Sequence, residues 1–359
     1  MAKKLRAGFV GCGGIATQKH MPSIATTDKV DMVAFCDIIE ERAIKAAKDF
    51  GTPEAQTYTD YKKLLEDKTL DMVYVLTPNK SHSYITIEAL ESGKHVLCEK
   101  PMAKTSKEAR AMVEAAKRTG KLLTIGYQSR YQPHSKYVKQ AIERGDLGEI
   151  YFAKAHALRR RAVPTWGVFL NEEEQGGGPL IDIGTHALDL TLWFMNNYKV
   201  KSVMGNVYKK LNENGNCGNA FGPWNPEEFT VEDSAFGFIT MEDGSTIILE
   251  SSWALNLVEA YEAKATLCGT KAGVDMKDGV RINGDDIGRL YEKTPNLKAG
   301  SVAFYEGESD DPNVQEQLNF ISAIEKGTPL TILPEQACVV TEVLEAIYES
   351  AKTGKLIEF

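Results

Sequence analysis

The chain carries 359 residues, with 42 Lys and Arg against 50 Asp and Glu and a formal net charge of -8. That length exceeds one ordinary hydrophobic core and predicts two domains, or one domain with a large elaboration. The acidic balance, without any Lys/Arg block, excludes a phosphate-backbone footprint, so nucleic acid is not an expected partner.

The longest apolar runs are strand-sized, too short for a membrane span. The basic start MAKKLRAGFV leads straight into a glycine loop and lacks a signal-peptide apolar region, which predicts a cytoplasmic protein with no membrane partner. Cys12, Cys36, Cys98, Cys217, Cys268 and Cys338 are scattered without CxxC pairs, several in apolar strand-like contexts. They argue against a disulfide scaffold and a structural zinc site.

Over the first third, short β-branched runs (5–10, 30–36, 72–76, 95–98 and 122–125) read as strands, and 40–50, 83–92 and 106–118 as helices between them. Gly51, Gly93 and Gly120 fall where glycines end such helices. This alternation implies right-handed parallel crossovers and a doubly wound sheet, giving a first domain over 1–126. After a helix near 133–144 the pattern lengthens. Runs at 150–158, 200–208, 231–241, 245–254 and 260–268 predict an antiparallel sheet with one open face, and Glu242-Asp243-Gly244 a tight hairpin. A helix over about 178–196 is expected on the other face. Two closing helices near 314–326 and 335–352 complete an α/β plus α+β chain whose second domain spans 127–359; those helices are expected to pack back on the first domain. The Asn-, Gly- and Pro-rich stretch 212–226 reads as a loop at a pocket edge.

In GFVGCGGIA, Gly11, Cys12, Gly13, Gly14, Ile15 and Ala16 form GxGxxA directly after the first strand and at the opening of a helix. The first glycine permits the tight turn, the second lets backbone approach a pyrophosphate, and Ala16 allows close helix packing. The pattern alone is common. Asp37 strengthens it, because a carboxylate at the end of the second strand, about 20 residues beyond the loop, accepts hydrogen bonds from a ribose diol and repels a 2′-phosphate. Isoleucines follow Asp37, so NAD is expected rather than NADP. Two later crossover loops, LTPNKSH with Thr77, Asn79 and His82, and CEKPMA with Glu99 and Lys100, lie at carboxyl ends of strands, where ligands sit in open parallel sheets. Asn79 and His82 could instead cap the helix that follows. Lys100 could be a solvated surface lysine, although Glu99 and Pro101 restrain it.

Taken together, GCGGIA with Asp37, TPNKSH, CEKP, GYQSRYQP and GGGPLIDIGTHALDL resemble, in order and spacing, the Gfo/Idh/MocA family of oxidoreductases, over essentially the whole chain. The resemblance implies a Rossmann domain, a second α/β domain with an open antiparallel sheet, NAD(P) bound between them, and sugar or inositol substrates. It also implies that Lys100, Asp182 and His186 form the catalytic group, and that Gln128 lies near nicotinamide and substrate.

The helix after the triple glycine supports the same chemistry independently. Asp182 and His186 are spaced i, i+4, so they share one face, and Asp189 follows one turn later. Glycines and Pro179 leave room for a substrate. Oxidising a secondary alcohol requires a base for the hydroxyl proton while hydride leaves carbon, and an imidazole suits that role. His186 is the expected base, Lys100 the stabiliser of the developing alkoxide, and Asp182 the group that orients the imidazole or a neighbouring hydroxyl. The plainer alternative is a core Asp and His that satisfy each other. Asp189 reads as an anchor. Asp182, His186 and Asp189 could in principle ligate zinc or manganese, but the nicotinamide already supplies the electron sink, so no metal is expected.

In HALRRRAVPTWGVF, Arg159, Arg160 and Trp166 could meet hydroxyls and a sugar face, or the arginines could pair with Glu172 to Glu174. Tyr131 and Trp253 are further candidates for substrate contact. Oxidation of a ring hydroxyl, for instance at C3 of a glucose or glucoside, is the leading expectation. Two alternatives stand beside it: a redox-neutral glycoside-cleaving enzyme that oxidises its substrate transiently, and a non-catalytic NAD- or sugar-sensing regulator, against which the retained Lys100, Asp182 and His186 argue. The open sheet predicts a homodimer or homotetramer.

Overall fold

The computed structural model describes residues 4–297 and 311–359. The chain divides into two compact units, one of Met1–Tyr131 with Ser309–Cys338 and one of Gln132–Glu308 with Val339–Phe359.

The first unit is a six-stranded parallel sheet in the order β3-β2-β1-β4-β5-β6. Its strands are β1 (Leu5–Val10), β2 (Val30–Cys36), β3 (Gln56–Tyr58), β4 (Met72–Val75), β5 (His95–Cys98) and β6 (Leu123–Ile125). This is the doubly wound order in which ligands lie beyond the carboxyl ends of the strands. The central strands are buried on both faces, which explains why they read as continuous apolar runs. Phe9 stacks on Phe35 and Tyr74, with ring centroids 5.4 and 4.9 Å apart. β3 is short and largely exposed at the sheet edge, so no apolar alternation announces it.

A break after residue 126 is read from the sequence, whereas the first unit runs on to Tyr131 and takes back the helix Pro312–Lys326. Polar contacts explain why. Arg130 Nη1 donates to the Thr331 carbonyl and to Gln336 Oε1, Tyr131 Oη to Asn319 Oδ1, and Thr124 Oγ1 to the Ile332 carbonyl. Phe320 and Ile321 on that helix join the sheet's core.

The second unit is a nine-stranded sheet in the order β14-β13-β12-β11-β7-β10-β9-β8-β15. Its strands are β7 (Ile150–Leu158), β8 (Val200–Tyr208), β9 (Ser234–Met241), β10 (Thr246–Ser252), β11 (Glu262–Gly269), β12 (Ala272–Asp275), β13 (Arg281–Asp286), β14 (Arg289–Lys293) and β15 (Ile357–Glu358). All neighbours are antiparallel except β7 and β10. The β9–β10 hairpin turns at Gly244, whose φ of 86° demands glycine. Along β7, Ala153, Ala155 and Ala157 point inward and are fully buried, and these small side chains let the helix Thr185–Met195 approach closely. On the other side of the sheet, Phe236 pairs with Glu250 and Phe238 with Ile248, and Phe238 is half exposed.

Candidate active site

In the first unit, the turn after β1 is built as its glycines require. Gly11 has a φ of 95°, and a Cβ there would stand 2.5 Å from the Leu76 carbonyl oxygen. At Gly13 a Cβ would meet nothing within 4 Å, so the backbone there faces open space on the side a pyrophosphate would approach. Ala16 is fully buried, whereas Gly14 and Ile15 are exposed. Burial pushes the Cys12 thiol up to about 12, so Cys12 contributes its backbone and no nucleophile. Asp37 reaches this loop. Its Oδ2 accepts from Cys12 N at 2.9 Å and its Oδ1 from Ile39 N at 2.9 Å, which fixes the carboxylate while leaving acceptor capacity for a ribose diol.

The residues after the loop form a π-helical turn, Ala16–His20, where an ordinary helix is expected. That wider turn brings two consecutive side chains onto one acceptor. Lys19 Nζ donates to Glu99 Oε1 at 2.8 Å, and His20 Nε2 lies 2.7 Å from the same oxygen. Lys19 also pairs with Glu316 Oε2 at 3.1 Å and reaches Gln128 Oε1 at 3.4 Å. Tyr74 Oη donates to Gln317 Oε1, and the Gln317 amide then donates to His20 Nδ1, so the proton of this imidazole sits on Nε2 and points at Glu99. Burial disfavours charge on Glu99, but Lys19 and then His20 outweigh it and hold the carboxyl well below its usual range. Burial likewise opposes the Lys19 charge, yet Glu316 and Glu99 raise its pKa. Sequence reasoning missed Lys19, His20, Glu316 and Gln317; a lysine and a histidine side by side behind the glycine loop were the only cue.

Glu99 therefore anchors its loop. Its Oε2 accepts from the Lys100 backbone N at 3.0 Å, which sets the start of the Lys100 segment; the Lys100–Pro101 peptide is cis. His82 is also a positioning group. Its Nδ1 lies 2.8 Å from the Pro101 carbonyl oxygen and its Nε2 2.8 Å from that of Thr77, so the ring ties the two ligand-facing loops together. Burial lowers its pKa, the two carbonyls opposing that effect. Thr77 Oγ1 accepts from Ser81 Oγ, and Asn79 opens a short 3-10 turn before the following helix. Tyr131 is buried with its hydroxyl on Asn319.

In the second unit, the segment after the triple glycine is again a π turn, Leu180–Gly184, followed by the helix Thr185–Met195. Asp182 lies in the π turn and His186 one position inside the helix. Asp182 is partly exposed among buried neighbours, His186 is 8% exposed, and Asp189 is fully buried. Trp253 Nε1 donates to Asp182 Oδ2 at 3.0 Å, so one carboxylate oxygen is held by an indole that is itself wholly buried.

The turn is capped by Glu232, which sequence reasoning also missed. Its Oε2 accepts from Gly178 N at 2.8 Å and its Oε1 from Leu180 N at 3.1 Å and from Tyr348 Oη at 2.8 Å. A Cβ on Gly177 would overlap the Tyr348 hydroxyl, and one on Gly178 would overlap the Glu232 carbonyl. The glycines are thus required by this cap. Burial pushes both the Glu232 carboxyl and the Tyr348 phenol upward.

Arg159 points its fork at Glu262, with Nε to Oε2 at 2.6 Å and Nη2 to Oε1 at 2.7 Å, and not at Glu172 to Glu174. Burial works against its charge, but Glu262 raises its pKa further. Arg160 is exposed. Trp166 is 52% exposed and makes edge-to-face contacts with Phe169 and Phe221.

Two family profiles cover the chain. One, an oxidoreductase family with an NAD-binding Rossmann fold, matches residues 5–127, and the other, the C-terminal alpha/beta domain of the same oxidoreductases, matches 139–359. The chain is 36% identical over 355 residues to the D-glucoside 3-dehydrogenase of Escherichia coli strain K12, covering 99% of this chain and 97% of that one. Among solved structures, a levoglucosan dehydrogenase complexed with NADH superposes with a TM-score of 0.83 at 21% identity over 99% of both chains. GenD2 from gentamicin A biosynthesis, in complex with NAD, superposes with a TM-score of 0.76 at 25% identity, over 100% of this chain and 97% of that one. Among the described residues, no helix is long and apolar enough to cross a membrane.

Proposed function

The chain belongs to the Gfo/Idh/MocA family of oxidoreductases and binds NAD through its Rossmann unit, and we propose that it oxidises a secondary ring hydroxyl of a glucoside or related sugar to a ketone. The reading favours C3 of a glucoside because a relative 36% identical over 99% of this chain is a D-glucoside 3-dehydrogenase. The observation that carries it is the carboxylate of Asp182, held by Trp253, four residues before His186 where the π turn passes into the helix.

Bound NAD would lie along the Gly11–Ala16 turn with its ribose diol on Asp37, and would supply the hydride acceptor. Gln128, linked to Lys19, lies at the end of this unit's ligand-facing loops and would meet nicotinamide or substrate. His186 takes the hydroxyl proton, Lys100 stabilises the developing alkoxide, and Asp182 fixes a neighbouring hydroxyl or the imidazole. Trp253 positions Asp182. Six free thiols fit a reducing, cytoplasmic setting. The outer face of the second sheet, with Phe238 half exposed and Phe236 packed against Tyr208, is the surface for a homodimer or dimer of dimers.

The test is a panel of free sugars, inositols and glycosides with NAD, following NADH absorbance and product chromatography for wild type, Lys100→Ala and His186→Ala. NADH formation lost in both variants is the expected result. Product without NADH accumulation would replace this reading with the redox-neutral glycoside-cleaving one.

A further inference from the structure

A row of aromatic rings leads away from Asp182 to the surface of the second unit. Trp253, bonded to Asp182, meets Phe169 edge-on with centroids 6.5 Å apart. Phe169 meets Trp166 at 5.7 Å, and Trp166 meets Phe221 at 4.8 Å and 87°. The inner end is buried and the outer end exposed: Trp253 is fully buried, while Trp166 is 52% and Phe221 45% exposed.

The two outer rings are exposed but not loose. They come from separate loops, and Asn219 fastens those loops together. Its Oδ1 accepts from Val163 N at 2.8 Å, and its Nδ2 donates to the Val163 carbonyl at 3.0 Å. Ala220 N donates to the Arg161 carbonyl at 3.0 Å, and Thr165 Oγ1 to the Phe221 carbonyl at 2.6 Å. Four such contacts between the loops, with Asn219 Nδ2 to Gly222 O inside one of them, hold two large apolar rings in water. Exposed aromatic rings held in place in this way form a platform for the planar or apolar face of a ligand.

We propose that Trp166 and Phe221 form an aglycone subsite: the planar or apolar part of a glycoside, beyond the sugar ring that is oxidised, lies on these two rings. The proposal rests on the glucoside-oxidising reading and narrows it to glycosides that carry an extended apolar aglycone. The charges nearby agree with a neutral ligand. Arg159 is spent on Glu262, and Arg161 donates to Asn256 Oδ1 and to the Arg160 carbonyl.

The test uses full-length protein saturated with NAD, and phenyl and methyl glucosides in both anomeric configurations. Binding is followed by calorimetry and turnover by NADH absorbance, for wild type, Trp166→Ala, Phe221→Ala and Trp166→Phe. In wild type, one phenyl glucoside is expected to bind about 10-fold or more tightly than its methyl counterpart, which corresponds to about 1.4 kcal/mol. Trp166→Ala and Phe221→Ala bring that ratio to within about threefold, the loss falling mainly on the phenyl glucoside, since the aromatic contact is what the phenyl ring gains there. Trp166→Phe retains most of it. Equal binding of the two glucosides by wild type overturns the subsite, even where both are oxidised and the dehydrogenase reading survives. So does a loss in Trp166→Ala that falls equally on both ligands, or a change of oligomeric state in either alanine variant, which would make the rings a subunit contact. A phenyl preference that vanishes in Trp166→Ala without any NADH formed would sustain the subsite and remove the dehydrogenase reading instead.

Discussion

The hydroxyl of Tyr348 donates to Glu232 Oε1 at 2.8 Å and occupies the space that a side chain on Gly177 would need. Tyr348 therefore reads out two things at once, the carboxylate that caps the Asp182 turn and the absence of a Cβ at its start. Gly177→Ala is expected to destabilise the second unit by about 2–4 kcal/mol, the cost of overpacking plus a lost buried hydrogen bond. Tyr348→Phe alone costs about 1–3 kcal/mol by leaving a buried carboxylate oxygen one donor short. Removing the hydroxyl relieves part of the clash, so the double variant is less damaging than the two changes added together. Urea unfolding of the four proteins measures this coupling, and strict additivity would show that the two residues do not interact.

Gly11 and Gly13 sit two positions apart and are expected to fail differently. Alanine at Gly11 combines a positive φ with a Cβ 2.5 Å from a carbonyl oxygen, so it destabilises the protein whether or not NAD is present. Alanine at Gly13 has nothing to strike in the protein. Gly13→Ala should leave the unfolding midpoint of the NAD-free protein within about 0.5 kcal/mol of wild type, while NAD affinity falls about 10-fold or more as the methyl enters the space of the pyrophosphate, at least 1.4 kcal/mol. Calorimetric titration with NAD, set beside thermal melts without it, separates the two. A Gly13→Ala protein that bound NAD normally would put the pyrophosphate elsewhere.

The parts of this molecule that follow local rules were legible in the sequence, and the parts that depend on distant partners were not. The GxGxxA turn, Asp37 and the β9–β10 hairpin are fixed by residues near each other in the chain, so their placement could be reasoned out. β12 and β13 escaped notice because their alternation is interrupted by Gly273, Asn283, Gly284 and Asp285, β14 because it is exposed along its whole length, and β15 because it is two residues long. The π turns carrying Lys19, His20 and Asp182 have no propensity signal, since tertiary contacts select them. Glu232, Tyr348 and Glu316 act through partners far along the chain, and an isolated Glu or Tyr on a helix or loop looks like any other. Arg159 was legible as paired, but its partner Glu262 was out of reach, because only the strand register places β11 beside β7.

The Lys19–Glu99 pair gives a pH-dependent expectation. The folded state holds the Glu99 carboxyl well below its ordinary value, so its stabilising contribution is fully present above the unfolded-chain value of about 4.3. It is lost as the pH falls from there toward the folded value, because the unfolded chain takes up a proton first. Acid unfolding of wild type should therefore steepen below about pH 4.3, and Glu99→Gln should flatten that limb while lowering stability at pH 7. Lys19→Met is expected to cost about 3–5 kcal/mol at neutral pH, since it strands two buried carboxylates, and adding Glu316→Gln should recover part of the loss. Denaturant unfolding across pH, for the wild type and these three variants, checks the sign and the order. An acid limb unchanged in Glu99→Gln would mean that this carboxyl does not govern it.

Trp253 offers the most direct test of what holds the candidate catalytic carboxylate. Trp253→Phe keeps an aromatic ring in contact with Phe169 and Phe229 but removes the indole N–H that reaches Asp182 at 3.0 Å. A carboxylate released on one side samples other rotamers, and the orientation it imposes on a hydroxyl or on the imidazole is lost for part of the time. The expected outcome is a fall in kcat of about 10-fold, near 1.4 kcal/mol of barrier. The smaller ring also leaves a void, so a stability loss of about 1–3 kcal/mol accompanies it. Steady-state kinetics with the sugar identified by the substrate panel supply the comparison, and Asp182→Asn in the same background tells position from charge. If Trp253→Phe causes no further fall in kcat once Asp182→Asn is present, the indole acts through the carboxylate; independent losses that multiply would place Trp253 against the substrate itself.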